Sequence, residues 1–467
     1  MGNKLRNILI FSLGIVLGAF GTAMAQKQPA GNLPIEELRQ LSDVFALIKS
    51  DYVEPVDDRK LLKEAISGMV SSLDPHSAYL DKKEFQELKE GTTGKFGGLG
   101  MEVGMEDGYV KVISPIEDTP AYKAGIRPGD LVIKLDGVNV KGMTLNEAVK
   151  KMRGDPGTQI TLTLSRKGVL KPITLTLTRD MITIRSVKSK MIEPGYIWLR
   201  VVQFQDPTVE DLVKHLNKLY AQNPNIKGIV LDLRNDPGGV LPGAIGVASA
   251  FLPSDSLIVS TNGQLPESKA EFYARPEYYM NRTSEDPLAK LPAAVKKVPI
   301  VVLVNTGSAS ASEIVAGALQ DHKRAIIMGS QTFGKGSVQT IRQLTEYTAL
   351  KLTTARYYTP SGRSIQAKGI IPDLLVDETA NGDGINALRI READLDKHLT
   401  NGDDEKANAR DSEEEMKQLD NLKNYRPIEY GTAKDFQLTQ ALNYLKGKPV
   451  KLSKSAKKVA AKPAAKK

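Results

Sequence analysis

The chain has 467 residues, 41% of them hydrophobic, and no cysteine. Its length leaves room for roughly two or three domains, and the lack of cysteine excludes both disulfide stapling and a thiol nucleophile. The formal charge of +9 does not mark a nucleic-acid groove. Residues 446–467 hold nine lysines and no acid, residues 1–25 hold Lys4 and Arg6 and no acid, and the rest carries 53 basic against 55 acidic residues.

In chain order, a positive start at Lys4 and Arg6, an apolar stretch Ile8–Phe20 and a small-x-small end at Ala23–Met24–Ala25 predict a secretory signal over residues 1–25. The 13-residue stretch is short of the roughly 20 residues that span a bilayer, which favours cleavage over an uncleaved anchor. Residues 34–90 read as helical. Leu38, Leu41, Phe45, Ile48 and Tyr52 recur at spacings of three and four. A second helix starts at Asp57–Asp58, with Leu62, Ile66, Met69 and Leu73 on one face. Those faces suit packing within the chain or against a second subunit.

Residues 95–180 read as a small β-rich module. The run Phe96–Gly97–Gly98–Leu99–Gly100 precedes a strand starting at Met101, with turn signals at Pro128–Gly129–Asp130 and Asp136–Gly137 and a helix over Leu145–Met152. Backbone N–H groups in such a glycine-rich run can hold a carboxylate. Arg153, at the end of that helix, is either a surface residue or a contact coupling the module to the next domain.

From residue 191 to 377 strands alternate with helices, which predicts a helix-flanked sheet. Strands are expected at Tyr196–Val201, Gly228–Leu233, Ile300–Val304, Ala325–Met328 and Ala349–Tyr358. Helices are expected at Thr208–Gln222, Leu241–Phe251 and Ser312–Gln320, and residues 264–295 read as a polar excursion or lid. Residues 378–434 read as a polar linker and 435–446 as an amphipathic helix with Leu438, Ala441 and Leu442 on one face. Residues 447–467 read as a disordered basic tail, or as an anchor to anionic lipid or an acidic partner.

The chemistry gathers at Thr306–Ile314, where the serines Ser308, Ser310 and Ser312 lie between an apolar strand and a helix. Unpaired amides and the helix dipole at such a turn favour an oxyanion. The amide of Ala311 is a candidate oxyanion donor, and a second would come from Gly238 or Gly239 in Leu231–Gly239. Lys335, twenty-five residues beyond Ser310, is bracketed by Gly334 and Gly336. A free lysine titrates near about 10.4, so a basic role near neutrality requires burial to lower its pKa. His76, His215, His322 and His398 are scattered without metal spacing. No metal or nucleotide motif appears, so no cofactor is implied. Asp232 and Asp236 flank Arg234 and read as fixing the loop.

The strings TGSASASEI, TFGKGSVQ and YYTPSGRSIQAKGIIPD, preceded by LDPHSAYL, FGGLGMEV and LDLRNDPGG, occur in an order that resembles the carboxyl-terminal processing peptidases, or tail-specific proteases. The resemblance spans roughly residues 35 to 375. It implies a periplasmic or otherwise extracytoplasmic serine endopeptidase. Residues 95–180 would be a PDZ domain binding substrate C-termini, and residues 191–377 a Ser–Lys peptidase core. It assigns the attack to Ser310, leaves Ser308 and Ser312 as structural, and gives Gln339 the task of orienting the Lys335 amine, a geometry that a helical turn would allow. It also makes a homodimer through the N-terminal helices and an activating partner plausible. The rival reading is a PDZ scaffold on a hydrolase-like core that turns over only with a partner or not at all.

Overall fold

The computed structural model describes residues 34–116, 118–183, 185–280, 285–380, 382, 390–401 and 428–453. The expected signal sequence, most of the basic tail and residues 381, 383–389 and 402–427 of the expected linker lie outside the described residues. Two units divide the chain, one ending at Gly68 and the other starting at Met69. In the first, helix α1 (Ile35–Asp51) buries none of its residues. Helix α2 (Asp58–Ser71) opens where Asp57 accepts the Lys60 N–H at 2.9 Å. Leu38, Leu41, Leu62 and Ile66 all stay exposed. Phe45 and Ile48 of the same seam are half-buried. Among the described residues no helix is long and apolar enough to cross a membrane.

The second unit begins with β1 (Ala78–Leu80) and α3 (Lys82–Thr93), the latter fixed by a reciprocal capping box between Asp81 and Glu84. A β-rich module follows: β2 (Lys95–Gly98), β3 (Met101–Glu106), β4 (Tyr109–Pro115), α4 (Pro120–Lys123), β5 (Leu131–Leu135), β6 (Val138–Asn139), α5 (Leu145–Met152), β7 (Gln159–Ser165), β8 (Ile173–Thr178) and β9 (Asp180–Thr183). Strands β3-β4-β5-β7-β8 form one antiparallel sheet around its own core, which includes Val110, Val132, Leu162 and Ala148. A separate β2–β9 ribbon closes the module at its base.

The glycine run divides between two elements. Phe96, Gly97 and Gly98 pair with Ile182, Met181 and Asp180, so they belong to a strand. Only Leu99 and Gly100, which carries a left-handed φ of +75°, turn the chain into β3. Their carbonyls accept from Ala121 and Ile116, and their amides point to no acceptor among the described residues. β3 lies at the edge of the sheet.

The larger domain is built on a six-stranded sheet in the order β10 (Val187–Glu193), β11 (Tyr196–Val201), β12 (Gly228–Asp232), β15 (Ile300–Val304), β16 (Ile326–Gly329) and β19 (Leu374–Leu375). Only the β10–β11 pair is antiparallel. Alternate residues serve opposite faces. Ile197, Leu199, Ile229, Leu231 and Val302 meet α6 (Thr208–Gln222), α7 (Leu241–Phe251) and α8 (Ala311–Asp321). Trp198, Val230, Val301 and Leu303 meet α9 (Phe436–Leu445) through Leu438, Ala441 and Leu442. Both faces are covered, which is why these strands read as unbroken apolar runs.

A second, antiparallel sheet holds β1, β13 (Leu257–Gly263), β14 (Ala270–Tyr273), β17 (Ser337–Gln343) and β18 (Ala349–Tyr358). Three expectations change here. Residues 264–280 and 285–295 do not form a free lid, because β14 pairs with β13 and Leu288 and Leu291 pack on the core. Gln339 sits on a strand, beside a bulge, and not on a helical turn. Residues 390–401 of the expected linker are docked on the domain: the Glu392 N–H donates to Phe333 O at 3.1 Å, and Asn401 to Gln366 O at 2.9 Å.

Candidate active site

Strand β15 ends at Val304, and the chain turns sharply into α8 through Ser310, whose backbone takes φ 53° and ψ −111°. A non-glycine residue held at positive φ stores strain, which the surrounding structure must impose. Here the imposition is visible. Ser308 Oγ donates to Leu233 O at 2.7 Å, and Ser312 Oγ donates to Asp236 O at 2.9 Å. The Ala309 N–H also donates to Asp236 O, at 3.0 Å. Ser308 and Ser312 are fully buried and spent on the turn. Of the three serines, Ser310 alone lines a cleft of about 660 Å³.

Lys335, Gln339, Gly238, Gly239 and Lys351 line the same cleft, with Glu87 and Thr92 of α3 on its rim. Burial pushes the Lys335 pKa down, and the like charge of Lys351 adds to the effect, while Glu392, Glu313 and Asp74 oppose it. Among the described residues no carboxylate forms an ion pair with its ammonium group.

The residue that sequence reading missed is Glu313. Fully buried, its carboxylate accepts the Ser310 N–H at 2.8 Å, the Gly334 N–H at 2.7 Å and the Lys335 N–H at 2.9 Å, and it also accepts the Thr332 hydroxyl. One side chain thus ties the serine turn to the lysine loop. Burial raises its pKa to about 7, although the four donors pull the other way. The signal in the sequence was a glutamate three residues after a serine, which reads as a helix cap.

The glycine pair is equally constrained. A Cβ on Gly238 would come within 2.9 Å of both Ser310 Cβ and the Ala311 nitrogen, and one on Gly239 within 1.8 Å of Phe204 O. The Gly238 N–H is already bonded to Asp236 Oδ1 at 2.9 Å. The Ala311 and Gly239 amides have no acceptor among the described residues. Burial also drives the Asp236 carboxyl well above its usual range.

Gln339 is near the lysine but turned elsewhere: its Nε2 donates to Ser337 Oγ at 3.0 Å and Thr353 Oγ1 at 3.3 Å. None of the four histidines lines the cleft. His322 bonds to Leu257 O, and His76 pairs with Glu392. Among the described residues no cluster of three or more metal-capable side chains occurs. Arg153 lies over the Phe96 ring at 4.3 Å and 3.6 Å from Glu90 of α3, the helix that rims the cleft.

Residues 195–376 match the model of peptidase family S41, residues 111–166 that of a PDZ domain, and residues 20–84 that of the activating protease CtpB N-terminal domain. A carboxy-terminal-processing protease of Bartonella bacilliformis is 47% identical over 378 residues, which cover 80% of this chain and 83% of that one. The carboxy-terminal processing protease CtpA of Bacillus subtilis is 35% identical over 366 residues, covering 78% and 74%. Among solved structures, the photosystem II D1 C-terminal processing protease aligns over 73% of this chain and 86% of its own, with 31% identity and a TM-score of 0.42. The chain belongs to the carboxy-terminal-processing proteases of peptidase family S41, serine-type peptidases that carry a PDZ domain.

Proposed function

We propose that this protein is an exported endopeptidase that takes hold of protein substrates by their C-termini and cleaves them with a Ser310–Lys335 dyad. The observation that carries the reading is the strained Ser310, facing a cleft shared with a buried lysine that forms no ion pair among the described residues. Neutral Lys335 accepts the Ser310 hydroxyl proton as Oγ attacks the scissile carbonyl. The oxyanion that forms is stabilised by the Ala311 N–H and one amide of the Gly238–Gly239 pair, of which Gly239 is the one not already bonded. The ammonium of Lys335 then protonates the leaving amine, and water releases the acyl group by the reverse path. Gln339 would orient the lysine amine after exchanging its bonds to Ser337 and Thr353.

Recognition of a terminal carboxylate falls to the Leu99 and Gly100 amides, with the peptide added along the open edge of β3. Phe96, Gly97 and Gly98 support that turn from the β2–β9 ribbon. Arg153, bridging the module to the helix that rims the cleft, would pass peptide occupancy on to the active site. The exposed faces of α1 and α2 suit a second copy of the chain. The extracytoplasmic reading rests on the signal-like pattern of residues 1–25. The deciding experiment treats purified protein with a fluorophosphonate probe and with casein. Labelling at Ser310 together with casein cleavage supports the dyad, and neither would favour the scaffold or a partner requirement.

A further inference from the structure

Residues 390–401 lie beyond the stretch matched to the peptidase family, yet they close over the loop that presents Lys335. Arg391 reaches the carbonyls of Thr332 and Ala367 at 3.4 Å and of Lys368 at 3.1 Å. Beside it, the Glu392 side chain is 1% exposed, and both of its oxygens are engaged. His76 Nε2 lies 3.0 and 2.8 Å from the two of them, and Gln366 Nε2 donates to one at 2.9 Å. The carbonyl of that same Gln366 side chain accepts the Gly336 N–H at 3.0 Å. A relay therefore runs from Glu392 through Gln366 to the residue directly after Lys335.

A second relay starts from the turn that carries His76. Asp74 Oδ1 accepts the His76 and Ser77 N–H groups and the Thr353 hydroxyl, and Thr353 in turn receives the Gln339 amide. The two relays leave neighbouring residues, Asp74 and His76, and end at Gly336 and Gln339, one and four residues beyond the lysine. An apolar side chain would fill the Glu392 site without the cost of burying a charge, so packing alone does not account for a carboxylate there.

We propose that Glu392 is a positioning residue for the general base: gripped by His76 and Gln366, it holds the Gly334–Gly336 loop so that the Lys335 amine faces Ser310. The 390–401 segment is then a strap that completes the active site. The proposal rests on the Ser–Lys reading above. The charged groups facing Lys335 are Lys351, Glu392, Glu313 and Asp74, and those beside Glu392 are His76 and Arg391. Loss of the Glu392 charge removes an influence that favours the protonated lysine.

The test uses the full chain, cleaving a casein-derived peptide, with four variants. For Glu392→Gln the expected result is a kcat lower by about a hundredfold with KM within about twofold, and an acid limb of the kcat–pH profile moved to lower pH. Glu392→Asp, which keeps the charge, returns the limb toward its original position. If Glu392→Gln does not fold, His76→Gln carries the test, since it frees the carboxylate without removing it, and kcat must again fall at constant KM. Wild-type kcat with an unmoved acid limb, or lost thermal stability alone, overturns the proposal. Lys335→Ala separates the two layers: if it stays active the dyad itself is wrong, whereas an inactive Lys335→Ala beside a wild-type Glu392→Gln removes only the strap's role.

Discussion

Two groups of buried ionisable side chains lie in this domain, and they are treated in opposite ways. At the end of β12 every N–H of the Arg234 guanidinium has an acceptor on Asp232, Asp435 or Gln437. Burial alone would raise the Asp232 carboxyl, but Arg234, with Arg200 and Trp198, holds it down at about 2. In the cleft beside the turn after β15, Lys335 forms no ion pair among the described residues, and burial pushes the neighbouring Glu313 up to about 7. Arg234 sits in a fully paired cluster that makes a joint, whereas Lys335 is buried without an ion pair among the described residues and Glu313 is pushed toward its neutral form.

Substitutions can break this contrast. Ser310→Ala is expected to lower cleavage by about a millionfold without disturbing the fold, as read by casein digestion beside circular dichroism. Loss in Ser308→Ala with retention in Ser310→Ala would reassign the nucleophile. Lys335→Met should be similarly inactive yet unfold at a higher temperature, because it replaces a buried amine that forms no ion pair among the described residues with an apolar side chain. A lower melting temperature would mean that the lysine is a structural group like Arg234.

Asp435→Ala should do the reverse and cost about 3–5 kcal/mol of stability in denaturant titration, since it strands the Arg234 charge. Turnover per folded molecule should change far less. A variant as stable as the wild type would show that the joint is dispensable. The pH dependence of stability supplies a smaller effect. Burial lifts Glu313 from 4.5 to about 7, so its neutral form is favoured in the fold. Its contribution is fully present below about pH 4.5 and is lost as pH rises through about 7, on the order of 3 kcal/mol in all. Melting curves of Glu313→Gln across that window should lack this slope, and an unchanged slope would mean that Glu313 stays ionised throughout. The smallest effect belongs to Arg153→Ala, whose partly exposed pair with Glu90 should be worth less than about 1 kcal/mol to stability. Its readout is the preference for a peptide with a free over an amidated C-terminus, and an identical ratio in wild type and variant would end the coupling role.

The contrast also explains what could be read from the chain. Strands β11, β12 and β15 and helices α6 and α7 were legible because runs buried on both faces and amphipathic repeats are local patterns. Ser310 and Lys335 drew attention because each sits in its own short motif, and the structure brings both to one cleft. Glu313 was not, because its partners at Gly334 and Lys335 lie more than twenty residues away and nothing in a cap pattern points to them. Glu392 was hidden more deeply, in a polar segment whose partner His76 is 316 residues distant. Gln339 was misplaced because a spacing of four suggests a helical face, whereas the pairing of β17 with β18 overrides it. The glycine run looked uniform although β9, eighty residues on, claims its first half.

The Arg234 joint has a further consequence, which concerns time. The loop after Arg234 holds the serine turn through Asp236, yet the carboxylate that completes the joint arrives 201 residues later, on the last helix of the domain. A chain emerging in one direction carries Ser310 and Lys335 well before Asp435. A contact spanning so much sequence is among the last to close. Until α9 docks, the β12 loop lacks one of its anchors. The serine turn, which leans on the β12 loop through Asp236, is thus completed late in folding.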